Sequence, residues 1–190
     1  SFAMRPVNIK QMCDSEPLSL SLALSLAKAI RLRNGPLWQG ERYDHKKIRI
    51  AYISSDLRSH PVGITMVAPL EHHDKQRFEV TALSIGLDDG SAIRRRIEQA
   101  VDRFADVQAM SDLAVAQLIR ELEIDIAIDL NGLTGLFRPR ILAHRPAPLQ
   151  VNFLGYPGTM GASFIDYIIA DKNVIPAENR AYYTEQAPRL

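Results

Sequence analysis

Several things are scarce in this chain. It has one cysteine, Cys13, in 190 residues, which excludes an internal disulfide and any zinc site built on cysteines. Neither charge is in excess: 23 Lys+Arg stand against 22 Asp+Glu, a formal net charge of +1. That balance calls for neither a nucleic acid nor an anionic membrane as partner. No apolar run of about 18 residues occurs, so no transmembrane helix is expected. The opening Ser1-Phe2-Ala3-Met4 reads as a remnant ahead of an internal segment, not as a signal peptide, and a cytoplasmic location is expected. The histidines show no HxH or HExxH spacing, and Walker and GxGxxG patterns are lacking, so neither a metal nor a nucleotide site is signalled by pattern. No internal repeat and no low-complexity stretch is visible. The chain stops abruptly at Arg189-Leu190, just after a strand-like element.

What is present suits a folded domain. The sequence is 46% hydrophobic and 24% charged, enough apolar material for a real core. Ser15-Glu16-Pro17 is a helix start, and the Leu/Ala-rich run from Leu18 to Arg33 ends at the stop signal Asn34-Gly35-Pro36. Leu22, Leu26, Ala29 and Ile30 are expected on one buried face, with Ser19, Ser25 and Lys28 elsewhere. The Leu/Ser alternation over 18–26 also fits a strand, but the caps and the length favour a helix packed on a neighbour. Residues 36–46 read as a linker. The expected division is a helical segment with linker over 1–46 and a domain over 47–190.

From Lys47 the texture changes to alternating strands and helices. Strands are expected at 48–54, 78–84, 102–107, 124–130, 149–154 and 165–170, with helices at 62–72, 91–101 and 112–122. This alternation implies an α/β fold: a Rossmann-like, mostly parallel sheet with helices on both faces, preceded by an N-terminal helix.

In such sheets, ligands bind beyond the carboxyl ends of the strands. Three turn-rich stretches are therefore expected to converge at one rim: 54–63, 131–135 and 155–161. His60 stands at the cap of a helix opened by Pro61, where the helix dipole disfavours imidazolium. A neutral imidazole there can act as a base or accept a hydrogen bond from a hydroxyl; the alternative is a histidine that only caps its helix. Asp56 and Asp129 near strand ends are either a carboxylate pair or turn caps. Gly155, Gly158 and Gly161 supply backbone that can approach a phosphate or sugar. Arg94-Arg95-Arg96 is expected to be a solvated helix face, and His72-His73 to complement a helix C-terminus. His45 falls in the linker and His144 in a loop.

Together and in order, these stretches resemble a known family. Ile50 to Gly63 (IAYISSDLRSHPVG) is similar to the opening of the catalytic region of O-linked N-acetylglucosamine transferases and the plant SPINDLY proteins. Asp129-Leu130-Asn131-Gly132-Leu133-Thr134 is similar to the family's DLNGxT element. Residues 142–161 (LAHRPAPLQVNFLGYPGTMG) resemble its most recognisable signature, and Asp166 to Asp171 follows as expected. Leu133 stands where tyrosine is common, and Phe137 replaces a small residue.

The resemblance implies a GT-B fold of two Rossmann-like lobes with the active site between them, of which 47–190 is the first, and tetratricopeptide helices ahead of it. It implies transfer of a sugar from a nucleotide sugar such as UDP-N-acetylglucosamine to a protein Ser/Thr hydroxyl, with inversion and without metal or cofactor. His60 matches the histidine proposed as a general base. Pro61, Asn131, Gly132, Thr134, Tyr156, Pro157, Gly158 and Thr159 match positions lining the substrate cleft. The donor is held mainly by the second lobe, so these 190 residues alone are expected to show no turnover. The donor sugar stays open among N-acetylglucosamine, fucose and glucose, and the acceptor between Ser/Thr and Asn. A cleft face cut from its partner lobe is expected to be apolar and exposed, and an oligomer through it is possible. Two other readings are a non-catalytic module that binds a protein partner, and a phospho-receiver built on Asp56 and Asp129; the latter lacks the late-strand lysine and adjacent acidic pair.

Overall fold

The computed structural model describes residues 15–30, 32 and 35–187. The readings placed on Ser1-Phe2-Ala3-Met4, Cys13, Arg33, Asn34 and Arg189-Leu190 lie outside the described residues. Six strands form one sheet: β1 Ile48–Ser54, β2 Phe78–Ser84, β3 Arg103–Asp106, β4 Ile126–Asp129, β5 Leu149–Phe153 and β6 Tyr167–Ile169. Their order is β3-β2-β1-β4-β5-β6, and every strand pair is parallel. The central strand β1 shows why both faces must be covered. Its Ile50 and Tyr52 enter one core cluster while Ala51 and Ile53 enter another, because successive strand side chains point to opposite faces.

Helices supply the two covers. On one face lie α2 (Pro61–Glu71), through Val62, Met66, Val67 and Leu70, and α3 (Ala92–Ala100), through Ile97 and Ala100. On the other lie α4 (Asp112–Glu121), through Val115, Ala116 and Ile119, and the short α5 (Arg140–Ala143), through Ile141 and Leu142. Ser91 and Ser111 cap α3 and α4 by accepting the amides of Arg94 and Ala114. A 3-10 helix at Ala177–Tyr182 follows β6, and beyond it Gln186 bridges Tyr167 of that strand.

The N-terminal helix α1 (Glu16–Ala29) joins the α4/α5 face, but only in part by the expected stripe. Ser19 and Ala23 are its buried residues, Leu22, Leu26, Ala27 and Ile30 are half-buried, and Ala29 is exposed. The cause is a close backbone approach. A Cβ built on Gly161, whose φ is +60°, would stand 2.6 Å from Ala23 C and Leu24 N. Small residues therefore face the domain, and Leu18 and Leu24 are left outside.

One further expectation is corrected in part. Of the triple arginine, Arg95 and Arg96 are exposed as expected, but Arg94 is 3% exposed. Its guanidinium reaches Glu98 (2.6 Å), Ser84 Oγ (3.0 Å) and Asp106 (2.7 Å), and lies 4.3 Å over the Phe104 ring. Four partners from β2, α3 and β3 satisfy a cation that composition alone would leave in water. The linker, in turn, lies against the domain. Leu37 N donates to His144 O and Trp38 N to Arg145 O, both at 2.8 Å, and Arg120 binds Tyr43 Oη and Glu41.

Candidate functional site

Between β1 and β4 the strand order reverses, and a parallel sheet opens a crevice beyond the carboxyl ends of such a pair. The two strand ends are tied together by one side chain. Asn131, buried after β4, accepts the Ser55 amide on Oδ1 (2.8 Å) and donates Nδ2 to Ser55 Oγ (2.7 Å). The same Nδ2 lies 3.3 Å from both Asp56 Oδ2 and Thr134 Oγ1. Asp56 also accepts from Ser55 Oγ (2.9 Å) and from Arg58 Nη2 (3.1 Å), so its carboxylate is held on both oxygens.

His60 caps α2. Its Nδ1 accepts the Val62 amide at 3.3 Å and lies 3.9 Å from Asp56 Oδ2. The hook that delivers it is tight: a Cβ on Gly63 would lie 2.2 Å from Arg58 O and 2.8 Å from Asp56 O. A ring nitrogen that accepts carries no proton, so neutral His60 holds its hydrogen on Nε2 and presents a donor. Asp56, Arg58, His60, Thr134, Leu136 and Gly155 line an open cleft of about 270 Å³. Arg58 is the cation at its wall, and it is paired with Asp56.

The structure gathers some of the expected residues here and places others apart. His60 and Thr134 line the cleft, exposed Pro61 follows His60, and Asn131 braces the site from behind. Gly132 and Gly158 instead lie against Tyr156. Their Cβ atoms would stand 2.6 Å from Tyr156 Cβ and 2.7 Å from its ring, respectively. Tyr156 itself is buried, and burial pushes its hydroxyl up to about 12. Thr159 is also buried. Its Oγ1 donates to Glu185 Oε2 at 2.7 Å and accepts the Gly161 amide at 3.1 Å. Exposed Pro157, with Tyr156 and Leu154, borders a second hollow of about 310 Å³ beyond β5 and β6. The three stretches thus share a rim, but the 155–161 loop gives the cleft mainly Gly155, where a Cβ would stand 2.0 Å from Leu130 O.

Asp129 does not pair with Asp56. It caps the turn after β4, accepting the Asn131 amide at 2.8 Å, and burial pushes its carboxyl up to about 6. His72 Nδ1 lies 2.9 Å from Ala68 O, and His73 Nε2 2.8 Å from Tyr52 Oη, both away from the cleft. Among the described residues no cluster of three or more His, Cys, Asp or Glu side chains is arranged to hold a metal ion. Sequence reasoning did not single out Ser55 or Arg58, although both stand in the first rim stretch. It had no signal for Glu185, whose partners are 25 and 26 positions upstream.

A parallel lobe in this strand order, with a polar cleft at its reversal point, is the architecture of half a GT-B glycosyltransferase. The family model described as glycosyl transferase family 41 matches residues 22–188, and the chain belongs to that family. It is 39% identical over 145 residues to a probable UDP-N-acetylglucosamine–peptide N-acetylglucosaminyltransferase SEC of Arabidopsis thaliana, covering 76% of this chain and 15% of that protein. It is 35% identical over 170 residues to the UDP-N-acetylglucosamine–peptide N-acetylglucosaminyltransferase of Caenorhabditis elegans, covering 87% and 15%. The SPINDLY protein of Arabidopsis thaliana is 31% identical over 156 residues, covering 80% and 17%. Among solved structures, a mutant of Thermobaculum terrenum O-GlcNAc transferase superposes with a TM-score of 0.86 at 30% identity, covering 97% of this chain and 36% of that one. The chain thus spans about a sixth of the curated relatives it matches.

Proposed function

We propose that the chain is the first catalytic lobe, residues 47–190, with a helical segment and linker over 1–46, of an inverting glycosyltransferase that moves N-acetylglucosamine from a nucleotide sugar to a protein Ser/Thr hydroxyl. The observation that carries this reading is the cleft with His60 at its wall, braced by Asn131 and set in a chain that matches the family model over 22–188. The printed names of the relatives supply the donor and the peptide acceptor. The reaction forms a bond from the acceptor oxygen to the anomeric carbon as the bond to the diphosphate breaks; the hydroxyl proton must also leave.

The cleft wall suits the acceptor end of that reaction. In the tautomer set by the Val62 amide, His60 Nε2–H donates and can orient an oxygen of acceptor or sugar. Nε2 takes a proton only when the ring hydrogen sits on Nδ1, and Asp56 Oδ2 at 3.9 Å is the carboxylate that faces the imidazolium so formed. The leaving diphosphate is expected to be held by a second lobe, because Arg58 is already paired with Asp56. Exposed apolar side chains at the carboxyl rim support such a lobe: Ile64 and Leu87 are 54% and 67% exposed, Leu136 is 61% and Leu154 is 37%. The reading uses no metal and no cofactor, and it places the protein in the cytoplasm; among the described residues no helix is long and apolar enough to cross a membrane.

The test is transfer of labelled sugar to protein by the complete reading frame that carries this lobe, screened with UDP-N-acetylglucosamine, GDP-fucose and UDP-glucose. Transfer from UDP-N-acetylglucosamine supports the reading. No transfer from any donor, with partners still retained on the rim, leaves the non-catalytic module in its place. Turnover by these 190 residues alone would overturn the assignment of the donor to a second lobe.

A further inference from the structure

The strongest cluster of titratable groups outside the cleft lies at the opposite end of the sheet, where the linker meets the domain. Both ring nitrogens of His45 stand at carboxylate oxygens: Nε2 is 2.9 Å from Glu123 Oε2, and Nδ1 is 3.3 Å from Asp125 Oδ2. A neutral imidazole has one N–H and can serve only one of them; the imidazolium serves both. The ring is mostly buried and stacks on Tyr43 at 5.2 Å and 15°. Arg120 of α4 donates to Tyr43 Oη at 2.7 Å and pairs with Glu41 at 2.8 Å. The indole of Trp38 donates to Glu41 O at 2.9 Å. One chain of contacts therefore runs from His45 back to Trp38, and nothing covalent holds the segment down between those residues.

We propose that His45 is a proton-operated latch that fastens residues 38–45 to the amino end of the sheet and releases them when the ring loses its charge. The inference concerns the linker and does not depend on the catalytic reading. The groups that face the ring are Glu123 and Asp125 from the turn before β4, Arg49 from β1, and Tyr43 and Lys47 from its own segment. Arg49 sets which contact fails first. Its Nη1 donates to Glu123 at 3.1 Å, and its amide donates to Asp125 at 2.8 Å, so each carboxylate keeps a donor when the ring is neutral. The single remaining N–H keeps the shorter Glu123 contact, and the lone pair of Nδ1 then faces Asp125.

The hydrogen bond to Glu123, with that to Asp125, raises the folded-state ionisation of His45 above its ordinary value of 6.5, against an opposing contribution from burial. A raised histidine value gives stabilisation that is complete below 6.5 and is lost as pH rises through the folded value. The latch is closed in mild acid and opens on the alkaline side.

The experiment is an NMR titration of the whole 190-residue chain from pH 5.5 to 9, following His45 Cε1–H and the indole N–H of Trp38, the single tryptophan. His45 is expected to titrate above 6.5 and the Trp38 indole to move with the same midpoint. Between 6.5 and that midpoint, protection of the Trp38 amide should fall by up to about tenfold per pH unit after correction for intrinsic exchange, and level off above it, the factor carried by one unit of ionisation. His45→Gln should hold Trp38 in its alkaline state at every pH, while the buried amide of Leu130 stays protected. Glu123→Gln should move the midpoint downward and gives a second route if His45→Gln does not fold. The latch is overturned if His45 titrates at or below 6.5, or if Trp38 stays unchanged while His45 titrates.

Discussion

Asn131 and Ser55, 76 positions apart, close on each other twice: the Ser55 amide donates to Asn131 Oδ1 at 2.8 Å, and Asn131 Nδ2 donates to Ser55 Oγ at 2.7 Å. The pair stitches the end of β1 to the end of β4, where the cleft opens. It needs an amide, because one side chain must both accept and donate. Asn131→Asp should cost about 2–4 kcal/mol, since the new carboxylate loses the donor and faces Asp56 in a buried place. Urea unfolding of the chain measures this, and a loss below about 0.5 kcal/mol would show that the pair does not hold the strand ends.

Gly158 and Gly132 have a similar dependence on Tyr156. Either glycine changed to alanine pushes a methyl into the tyrosine side chain, and at Gly132 the backbone, at φ +58°, is strained as well. A destabilisation of about 1–3 kcal/mol is expected for each, by overpacking. Thermal melts that match the unchanged protein would mean the loop yields without cost. Any kinetic defect of Gly158→Val in the complete enzyme should therefore come with lost stability, not with an unaltered fold.

The Asp129 carboxyl, pushed up to about 6 by burial, predicts a pH dependence. A carboxyl whose folded value is raised binds its proton more tightly in the folded state, so it costs nothing below its ordinary 3.8. Its destabilisation grows as pH rises from about 4 to 6 and is complete above 6. The two units of difference bound the cost at about 3 kcal/mol. Asp129→Asn keeps an acceptor for the Asn131 amide and removes the charge. The difference in unfolding free energy between the two proteins should therefore move in the variant's favour between pH 4 and 6. A constant difference across that window would refute the assignment.

In the complete enzyme, His60→Ala should lower kcat about 10²–10⁴-fold with little change in donor affinity, the range for a positioned acid–base group. Asp56→Asn should lower kcat less, and it should alter the pH–rate profile if the Nδ1–H tautomer operates. Donor affinity comes from calorimetry and kcat from labelled transfer. Unchanged turnover in His60→Ala would leave His60 as a helix cap.

Much of this was legible locally. The bounds of β1 and β2 follow from apolar runs that end at Lys47, Arg77 and the turn after Ser84, and Ser91 and Ser111 announce their helices. The expected strand 124–130 is shorter, at Ile126–Asp129, because its four residues are those that pair with β5. What failed locally is what depends on distant partners. Arg94 looks like a surface residue until Ser84, Phe104 and Asp106 are brought around it. The face of α1 was misjudged in part: Leu22 and Leu26 are half-buried as expected, but Ala29 is exposed, and the buried positions are Ser19 and Ala23, small residues that a glycine backbone admits. The cleft's location followed from the sheet rule; its bracing by Asn131 and the tie of Thr159 to Glu185 did not, since nothing in a short window connects them.

The meeting of α1 with Gly161 has a mechanical consequence. Where bulky side chains mesh, a helix can slide or tilt while rotamers absorb the difference. At Ala23 and Leu24 the helix backbone rests almost directly on the backbone of Gly161, with no room for a methyl group between them. Any push on the helix from its N-terminal side has no soft layer to dissipate in at that point. It passes straight into the 155–161 loop, and so to Gly155 at the mouth of the cleft.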